Sequence, residues 1–244
     1  MKEDSIRFEF KAPDALTRAR RVVIIPTVVE GCKYPLSTSS ELLSNIISGV
    51  RKVSKADIVV LGNSQNGKTV QEVFAGLKYD FGRVLVMDIN ETLCVEVENP
   101  LTKPFAIPTF WIPSVILSSD YLITTIPLRS RRKKANMATA SLLSVLPAHK
   151  YIDKKTGEWK NFNELGLDKV IADLYFTLPF DMAIVEATRH YICRNDGGIG
   201  RSEELGQIYY GEPAEIDAEI SEDMGFKTTY LDLVAQGLKD LDES

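Results

Sequence analysis

Short apolar runs that alternate with helical segments constrain the fold of this chain more than any other feature. Three such runs, rich in β-branched residues, lie near its start, at Arg21–Pro26, Asp57–Gly62 and Arg83–Asp88. Runs of this kind are typical of strands buried on both faces of a sheet. The first helical segment between them carries Leu42, Leu43, Ile46, Ile47 and Val50 at helical spacing. The alternation predicts an α/β fold: an open, mainly parallel sheet with right-handed crossovers and helices on both faces.

The rest of the chain continues the alternation after a break. Between residues 91 and 118 the pattern loosens, with an edge-strand alternation at Thr92–Glu98 and a proline-rich connection at Pro100–Pro113. Order returns with a strand at Tyr121–Ile126, a helix at Ala135–Leu146, and further strands and helices. We expect a single α/β domain over residues 1–244, with an irregular insertion at residues 91–118.

The composition argues against several classes of function. A net charge of -5 disfavours general nucleic-acid binding, because excess negative charge repels phosphate groups. Cys32, Cys94 and Cys193 form no CxxC pair, which argues against a structural zinc or an iron–sulfur cluster held by this chain. We find no apolar signal core at the N-terminus and no apolar run long enough to cross a bilayer, so we expect a cytoplasmic location. The sequence identifies no cofactor.

The strongest candidate for a binding site is a run of cations. It follows a predicted strand that ends at Pro127 and precedes a predicted helix, and it consists of Arg129, Arg131, Arg132, Lys133 and Lys134. Open α/β sheets bind ligands at the carboxyl ends of strands, and arginine binds carboxylate or phosphate bidentately. We therefore expect a basic strand–helix loop that holds a small anion, with a solvated loop as the alternative. The expected ligand-binding residues are Arg129, Arg131, Lys133, Lys134 and Asn136.

Two acidic residues are candidates for acid–base catalysis. Glu186 ends the apolar run Asp181–Glu186, and Asp217 follows the predicted strand Leu205–Tyr210. A carboxyl group at such a position can transfer a proton, and the same residue types also mark the ends of ordinary strands and helices. We assign Glu186 and Asp217 as the catalytic candidates, with that structural role as the alternative.

The segment Gly62–Thr69 fits a phosphate-binding loop. It reads GNSQNGKT, matches the pattern GxxxxGK[ST], and lies between a predicted strand and a predicted helix. In such a loop Lys68 would contact the β/γ-phosphates, Thr69 would bind magnesium, and Asp88 would be a second magnesium partner. The helix that follows is short, however, and polar turns of this composition are common. A plain turn is the interpretation we favour.

Two further patterns carry weaker signals. Asn195–Gly200 is glycine-rich but lacks the GxGxxG spacing of a dinucleotide site, so a plain turn and a loop that covers a ligand are both open. His190 and Cys193 form an isolated H-x-x-C pair whose side chains would point in opposite directions along a strand. Because zinc normally needs several convergent ligands, we expect no metal site.

The order of these segments resembles the family called domain of unknown function 362. The resemblance covers most of the chain and rests on VVIIP, ADIVVLG, VLVMDIN, SDYLITTIPL, DMAIVEA and YYGEPAEIDA, at residues 22–26, 56–62, 84–90, 119–128, 181–187 and 209–218. It implies a soluble α/β protein, in some members tied to redox chemistry, and it puts Asp217 on a recurring acidic position.

This chain departs from that family at several positions. Where family members carry Lys-Thr-His after the middle strand, residues 129–131 read RSR, and Ala140 and Ser141 stand where a Lys-Asn pair is common. Glu186 replaces the usual aspartate, and the cluster-binding ferredoxin segment of many relatives is absent. The resemblance therefore implies no particular reaction.

We expect an enzyme, or a degenerate enzyme, that binds a small anionic metabolite and has no membrane partner. The first alternative is a non-catalytic protein that docks RNA or an acidic partner through the basic run. A further alternative is nucleotide binding at Gly62–Thr69. The sequence does not indicate the substrate, the reaction or the oligomeric state.

Overall fold

The strands and helices follow the predicted alternation closely at the start of the chain. A computed structural model describes residues 1–29, 31–64, 67–132, 134–151, 153, 155, 162–194 and 200–242. The strands are β1 (Lys2–Asp4), β2 (Arg21–Pro26), β3 (Asp57–Gly62), β4 (Val84–Asp88), β5 (Cys94–Glu98), β6 (Thr109–Pro113), β7 (Tyr121–Arg131), β8 (Lys134–Asn136), β9 (Met182–Cys193) and β10 (Gly200–Gly211). The α-helices are α1 (Ser40–Val53), α2 (Val70–Leu77), α3 (Ser114–Leu117), α4 (Ala138–Ser141), α5 (Ala148–Tyr151), α6 (Phe162–Leu165), α7 (Leu167–Thr177), α8 (Pro213–Met224) and α9 (Thr229–Asp242).

Most strands belong to one mixed sheet. Within the described residues, eight strands form it in the order β1-β10-β9-β7-β2-β3-β4, with β8 paired to β7. The neighbours from β9 to β4 run parallel, whereas β1, β8 and β10 join antiparallel. The parallel strands are the apolar runs, because a strand covered on both faces needs apolar side chains on both. The predicted open, mainly parallel α/β sheet is confirmed.

Helices cover both faces of this sheet, as predicted. Alternate residues of β2 point to opposite faces, so that Ile24 packs in one apolar cluster with Leu43 of α1, and Ile25 packs in another with Leu174 of α7. Helix α1 begins at Ser40 because the hydroxyl of Ser39 accepts a hydrogen bond from the Leu42 N–H at 3.0 Å. The core therefore consists of one layer on each side of the sheet.

The predicted irregular insertion contains a small sheet of its own. Strands β5 and β6 pair antiparallel with each other, apart from the large sheet. The loop between them folds over the fully buried Asp173 of α7, whose carboxylate accepts hydrogen bonds from the N–H groups of Phe105, Ala106 and Ile107 at 2.9, 2.7 and 2.7 Å. This carboxylate satisfies backbone groups that no strand pairs. The single-domain organisation stays a prediction.

The basic run lies on a β-hairpin, so the predicted strand–helix loop is wrong. Strand β7 continues through Pro127 to Arg131 and pairs antiparallel with β8, which puts Arg131 opposite Lys134. Pro127 is tolerated because pairing with β2 ends at Thr125, so that the missing N–H of the proline costs no hydrogen bond on that side.

The helix predicted at Ala135–Leu146 is wrong over its first three residues, and it is not one continuous helix. Its start belongs to β8, and only the four-residue α4 and a 3₁₀ turn at Leu142–Val145 are helical. A contact with a distant segment explains the break: Ala138 and Thr139 donate their N–H groups to the carboxylate of Asp217, which lies far along the sequence. The periodicity of the segment cannot predict this contact, because Asp217 lies outside the segment.

Candidate functional site

Polar side chains gather where the direction of the strand order reverses. Strand β2 lies between β3 and β7 in the sheet: the chain continues from β2 to β3 on one side of it, and returns later to add β7 on the other side. At the carboxyl end of these strands the Thr27 N–H donates to the carbonyl of Thr125 at 2.8 Å, and the hydroxyls of Thr38 and Thr125 lie 3.0 Å apart. Such a reversal point is where open α/β sheets bind ligands. The structure therefore puts a candidate site beside Thr125.

Glu186 lies at this edge, on the neighbouring strand β9. Its carboxyl accepts a hydrogen bond from the Ser39 N–H at 2.9 Å, and the residue is only 5% exposed. Burial raises the pKa of Glu186 to about 7, while the hydrogen bonds from Ser39 oppose the rise. A carboxyl group with a pKa near neutrality can both donate and accept a proton, which suits the predicted acid–base role.

Two tyrosines help to enclose Glu186. The Tyr34 hydroxyl accepts a hydrogen bond from the Arg189 N–H at 2.6 Å, and the Tyr79 hydroxyl donates to the carbonyl of Thr38. Burial, together with the charge of Glu186, raises the pKa of Tyr34 to about 12 and raises that of Tyr79 as well. Both phenols therefore stay protonated at neutral pH and add no negative charge beside the carboxyl group.

Arg129 is the cation of the basic run that is nearest the candidate site. It is half-buried, and its Nε is buried without a hydrogen-bond partner. Burial lowers the pKa of the guanidinium, which nevertheless stays charged. Among the residues that the structure describes, no carboxylate forms an ion pair with Arg129.

Arg129 and Glu186 point to the same face of the sheet. Pro127 pairs with Glu186 in the register of β7 and β9, and Arg129 follows two residues later on the same side of β7, beyond a register shift after which it pairs with Tyr191. Two residues of strand correspond to about 7 Å. No direct hydrogen bond joins the two side chains in the described structure.

The other predicted ligand-binding residues are not all at this site. Arg131 is exposed near the end of β7, and Lys134 is exposed on β8. For Asn136 the structure describes the backbone, which pairs with Arg129. Lys133 lies outside the described residues, as do residues 195–199 of the glycine-rich segment. The hairpin thus separates a half-buried Arg129 from exposed cations near its turn.

Asp217 has an environment unlike that of Glu186. It is fully buried and accepts hydrogen bonds from the N–H groups of Ala138 and Thr139 at 2.7 and 2.8 Å and from the Tyr230 hydroxyl at 2.9 Å. Burial raises the pKa of Asp217 to about 6, against the effect of these donors. This geometry is typical of a carboxylate that holds a helix start in place. Its catalytic role stays a prediction that the contacts do not favour.

The Gly62–Thr69 segment has the contacts of a helix start. Thr69 is the N-cap of α2, and its hydroxyl accepts from the Glu72 N–H at 3.2 Å while the Glu72 carboxylate accepts from the Thr69 N–H at 2.8 Å. A Cβ at Gly62 would lie 2.6 Å from the ring of Phe74, so packing explains that glycine. The Thr69 hydroxyl is already bound to the Glu72 N–H, and the Glu72 carboxylate occupies the start of the helix. These contacts favour a plain turn over a phosphate-binding loop. Residues 65 and 66 lie outside the described residues.

The sequence interpretation missed one close pair of polar side chains. The Ser130 Oγ and the His190 Nε2 lie 2.6 Å apart, and both residues are buried. Burial lowers the pKa of His190, and the ring of Phe226 packs against the imidazole with centroids 5.7 Å apart. Ser130 lies within the basic run, and no local pattern links it to a histidine on another strand.

The described residues contain no cluster of three or more histidine, cysteine, aspartate or glutamate side chains suited to a metal ion. In the same part of the chain, no helix has the length and apolar character needed to cross a membrane.

The chain is similar in fold to a known enzyme apoprotein. No family model matches the chain, and no curated protein matches it either. The structure of the lactate racemase apoprotein from Thermoanaerobacterium thermosaccharolyticum matches 90% of this chain with a TM-score of 0.54 and 14% sequence identity. The chain spans 53% of the length of that protein. The likeness shows a shared fold, and the resemblance to the domain of unknown function 362 family stays a prediction.

Proposed function

We propose that this protein is an enzyme, or an enzyme-like protein, that binds a small anionic metabolite between Arg129 and Glu186. The observation that carries the proposal is the half-buried guanidinium of Arg129, whose Nε has no hydrogen-bond partner. Partial burial of a charge costs free energy when no counter-ion pairs with it, and the described residues supply none to Arg129. A bound carboxylate or phosphate would offset that cost through a bidentate pair with the guanidinium.

Glu186 is the proposed proton donor or acceptor. Its pKa of about 7 allows either form near neutral pH. Because Glu186 and Arg129 share a face of the sheet, an anion held by the guanidinium would extend toward the carboxyl group. Lactate appears in the name of the racemase whose fold is similar, and it is a small carboxylate of the proposed class of ligand. That likeness supports the class of ligand and leaves the reaction open.

Calorimetric titration with small carboxylates and phosphate esters, beginning with lactate, tests the proposal. Arg129→Gln should weaken binding of any ligand found by about tenfold or more, since a charge-assisted pair is lost. Arg132→Gln is the matched control, because it removes the same charge from the turn of the same hairpin. The proposal fails if no anion of the panel binds, or if Arg129→Gln binds as tightly as the parent.

The exposed end of the hairpin supports a second candidate function. Arg131, Arg132 and Lys134 are exposed together there, as a surface that docks an acidic partner or RNA would require. Arg131→Ala and Lys134→Ala should then reduce RNA binding and the steepness of its salt dependence. Absence of salt-dependent RNA binding by the parent protein would remove the RNA form of this alternative.

A further inference from the structure

A cavity lies on the opposite face of the sheet from Glu186. Its volume is about 470 Å³, and it lies between β8 and the first turns of α7 and α9. Ile171 and Tyr230, which line it, belong to the apolar cluster on that face, whereas the Ser39 partner of Glu186 precedes α1 on the other face. The cavity is therefore separate from the site proposed for Arg129.

Lysines from three different segments line this cavity. Lys134 comes from β8, Lys169 from the first turn of α7, and Lys227 from the connection before α9. Asp168 is the one carboxylate among the described lining residues. An excess of cations around a concave surface is notable in a chain with a net charge of -5. The local charge therefore favours an anion.

The starts of two helices add to this preference. Helix α7 begins after Gly166, and no side chain caps it, while α9 begins at Thr229 on the same cavity. Backbone N–H groups in the first turn of a helix lack partners within the helix, and the helix dipole favours negative charge there. The helix starts only reinforce what the cavity and its lysines indicate.

The remaining lining is apolar. Leu167, Ile171 and Leu233 contribute side chains, and Tyr230 contributes a ring whose hydroxyl is already bound to Asp217. Inorganic phosphate alone would leave these side chains without a contact. From the combination we propose a binding pocket for a phosphate monoester with an apolar body, in which the lysines contact the phosphate and the leucine and isoleucine side chains contact the body.

Phenyl phosphate is a suitable probe for this pocket. Titration of the full chain, followed by the NMR signals of its backbone amides, should shift those of Leu167, Asp168 and Thr229. Phenyl phosphate should bind more tightly than inorganic phosphate, and phenol should bind weakly, because both parts of the pocket are used. These measurements need no variant, so they stand even if a substitution disturbs folding.

Variants then test which lysines bind the phosphate group. Lys169→Gln combined with Lys227→Gln should weaken phenyl phosphate binding by about tenfold or more. Lys239→Gln is the matched control, since Lys239 lies in the last turn of α9, away from the cavity. Arg129→Gln should leave unchanged the phenyl phosphate shifts of the Leu167, Asp168 and Thr229 signals, even where it weakens binding between Arg129 and Glu186, and this separates the pocket from the proposed active site.

Three results would overturn the proposal. The first is no phenyl phosphate binding, and the second is binding that the double lysine variant leaves unchanged. The third is binding that is lost in Arg129→Gln while the signals of Leu167 and Thr229 stay unshifted, because the probe would then occupy the other face of the sheet.

Discussion

The hydroxyl oxygen of Ser130 lies 2.6 Å from the Nε2 of His190, although the two residues are 60 positions apart in sequence. The hydrogen bond joins β7 to β9 beyond the irregular register that separates Pro127 from Arg129 in the pairing of these strands. Both residues are buried, so the hydroxyl and the imidazole nitrogen supply each other with the hydrogen-bond partner that water cannot provide.

Ser130→Ala should destabilise the protein by about 1–3 kcal/mol, since it leaves a buried imidazole nitrogen without its partner. Urea denaturation measures the change in the free energy of unfolding. Ser202→Ala, at an exposed position on β10, is the control and should change it by less than about 0.5 kcal/mol. Equal effects of the two substitutions would show that the Ser130–His190 contact contributes nothing measurable.

Glu186 should make stability depend on pH. Its pKa in the folded protein is about 7, above the ordinary value of 4.5, so the folded state retains the proton between these pH values. The resulting stabilisation is complete below pH 4.5 and is lost as the pH rises through about 7.

Glu186→Gln cannot ionise, so its stability relative to the parent should increase by roughly 3 kcal/mol across that range of pH. Denaturation of both proteins at several pH values measures the difference. Glu222→Gln, at an exposed position on α8, should show no such trend. A constant difference between Glu186→Gln and the parent would contradict the raised pKa.

Asp217→Asn should lower the free energy of unfolding by roughly 3 kcal/mol, because the amide supplies one acceptor oxygen where the carboxylate serves three donors. Tyr230→Phe removes one of these donors and should cost less, about 1 kcal/mol. Urea denaturation compares the two with the parent. If Asp217→Asn left stability unchanged and abolished an activity, the catalytic prediction for Asp217 would be supported instead.

Thr69→Ala should cost about 1 kcal/mol of stability through loss of the cap of α2, and Thr69→Ser should retain most of it. Lys68→Ala should change stability by well under about 1 kcal/mol. Calorimetric titration of the parent with magnesium-ATP should show no binding. Micromolar binding that Lys68→Ala abolishes would instead establish Gly62–Thr69 as a nucleotide site.

The sequence by itself determined the central sheet. The predicted strands Arg21–Pro26 and Asp57–Gly62 coincide with β2 and β3, and the third differs from β4 by one residue at its start. Strands β2 and β3 are buried almost throughout, so nearly every side chain must be apolar, and the run of residues alone reveals them. Glu186 became a candidate in the same way, because it ends the apolar run of β9, although the strand itself continues to Cys193.

Only the tertiary structure decided the arrangement of the basic run. Whether residues after Pro127 form a loop or a hairpin depends on strand pairing with β8 and β9. The start of α4 at Ala138 depends on Asp217, which α8 supplies from 79 positions away. Such contacts join residues that are distant in sequence, so local periodicity cannot encode them. For the same reason the pairing of Ser130 with His190 and the convergence of the cavity's lysines emerge only when the chain is folded.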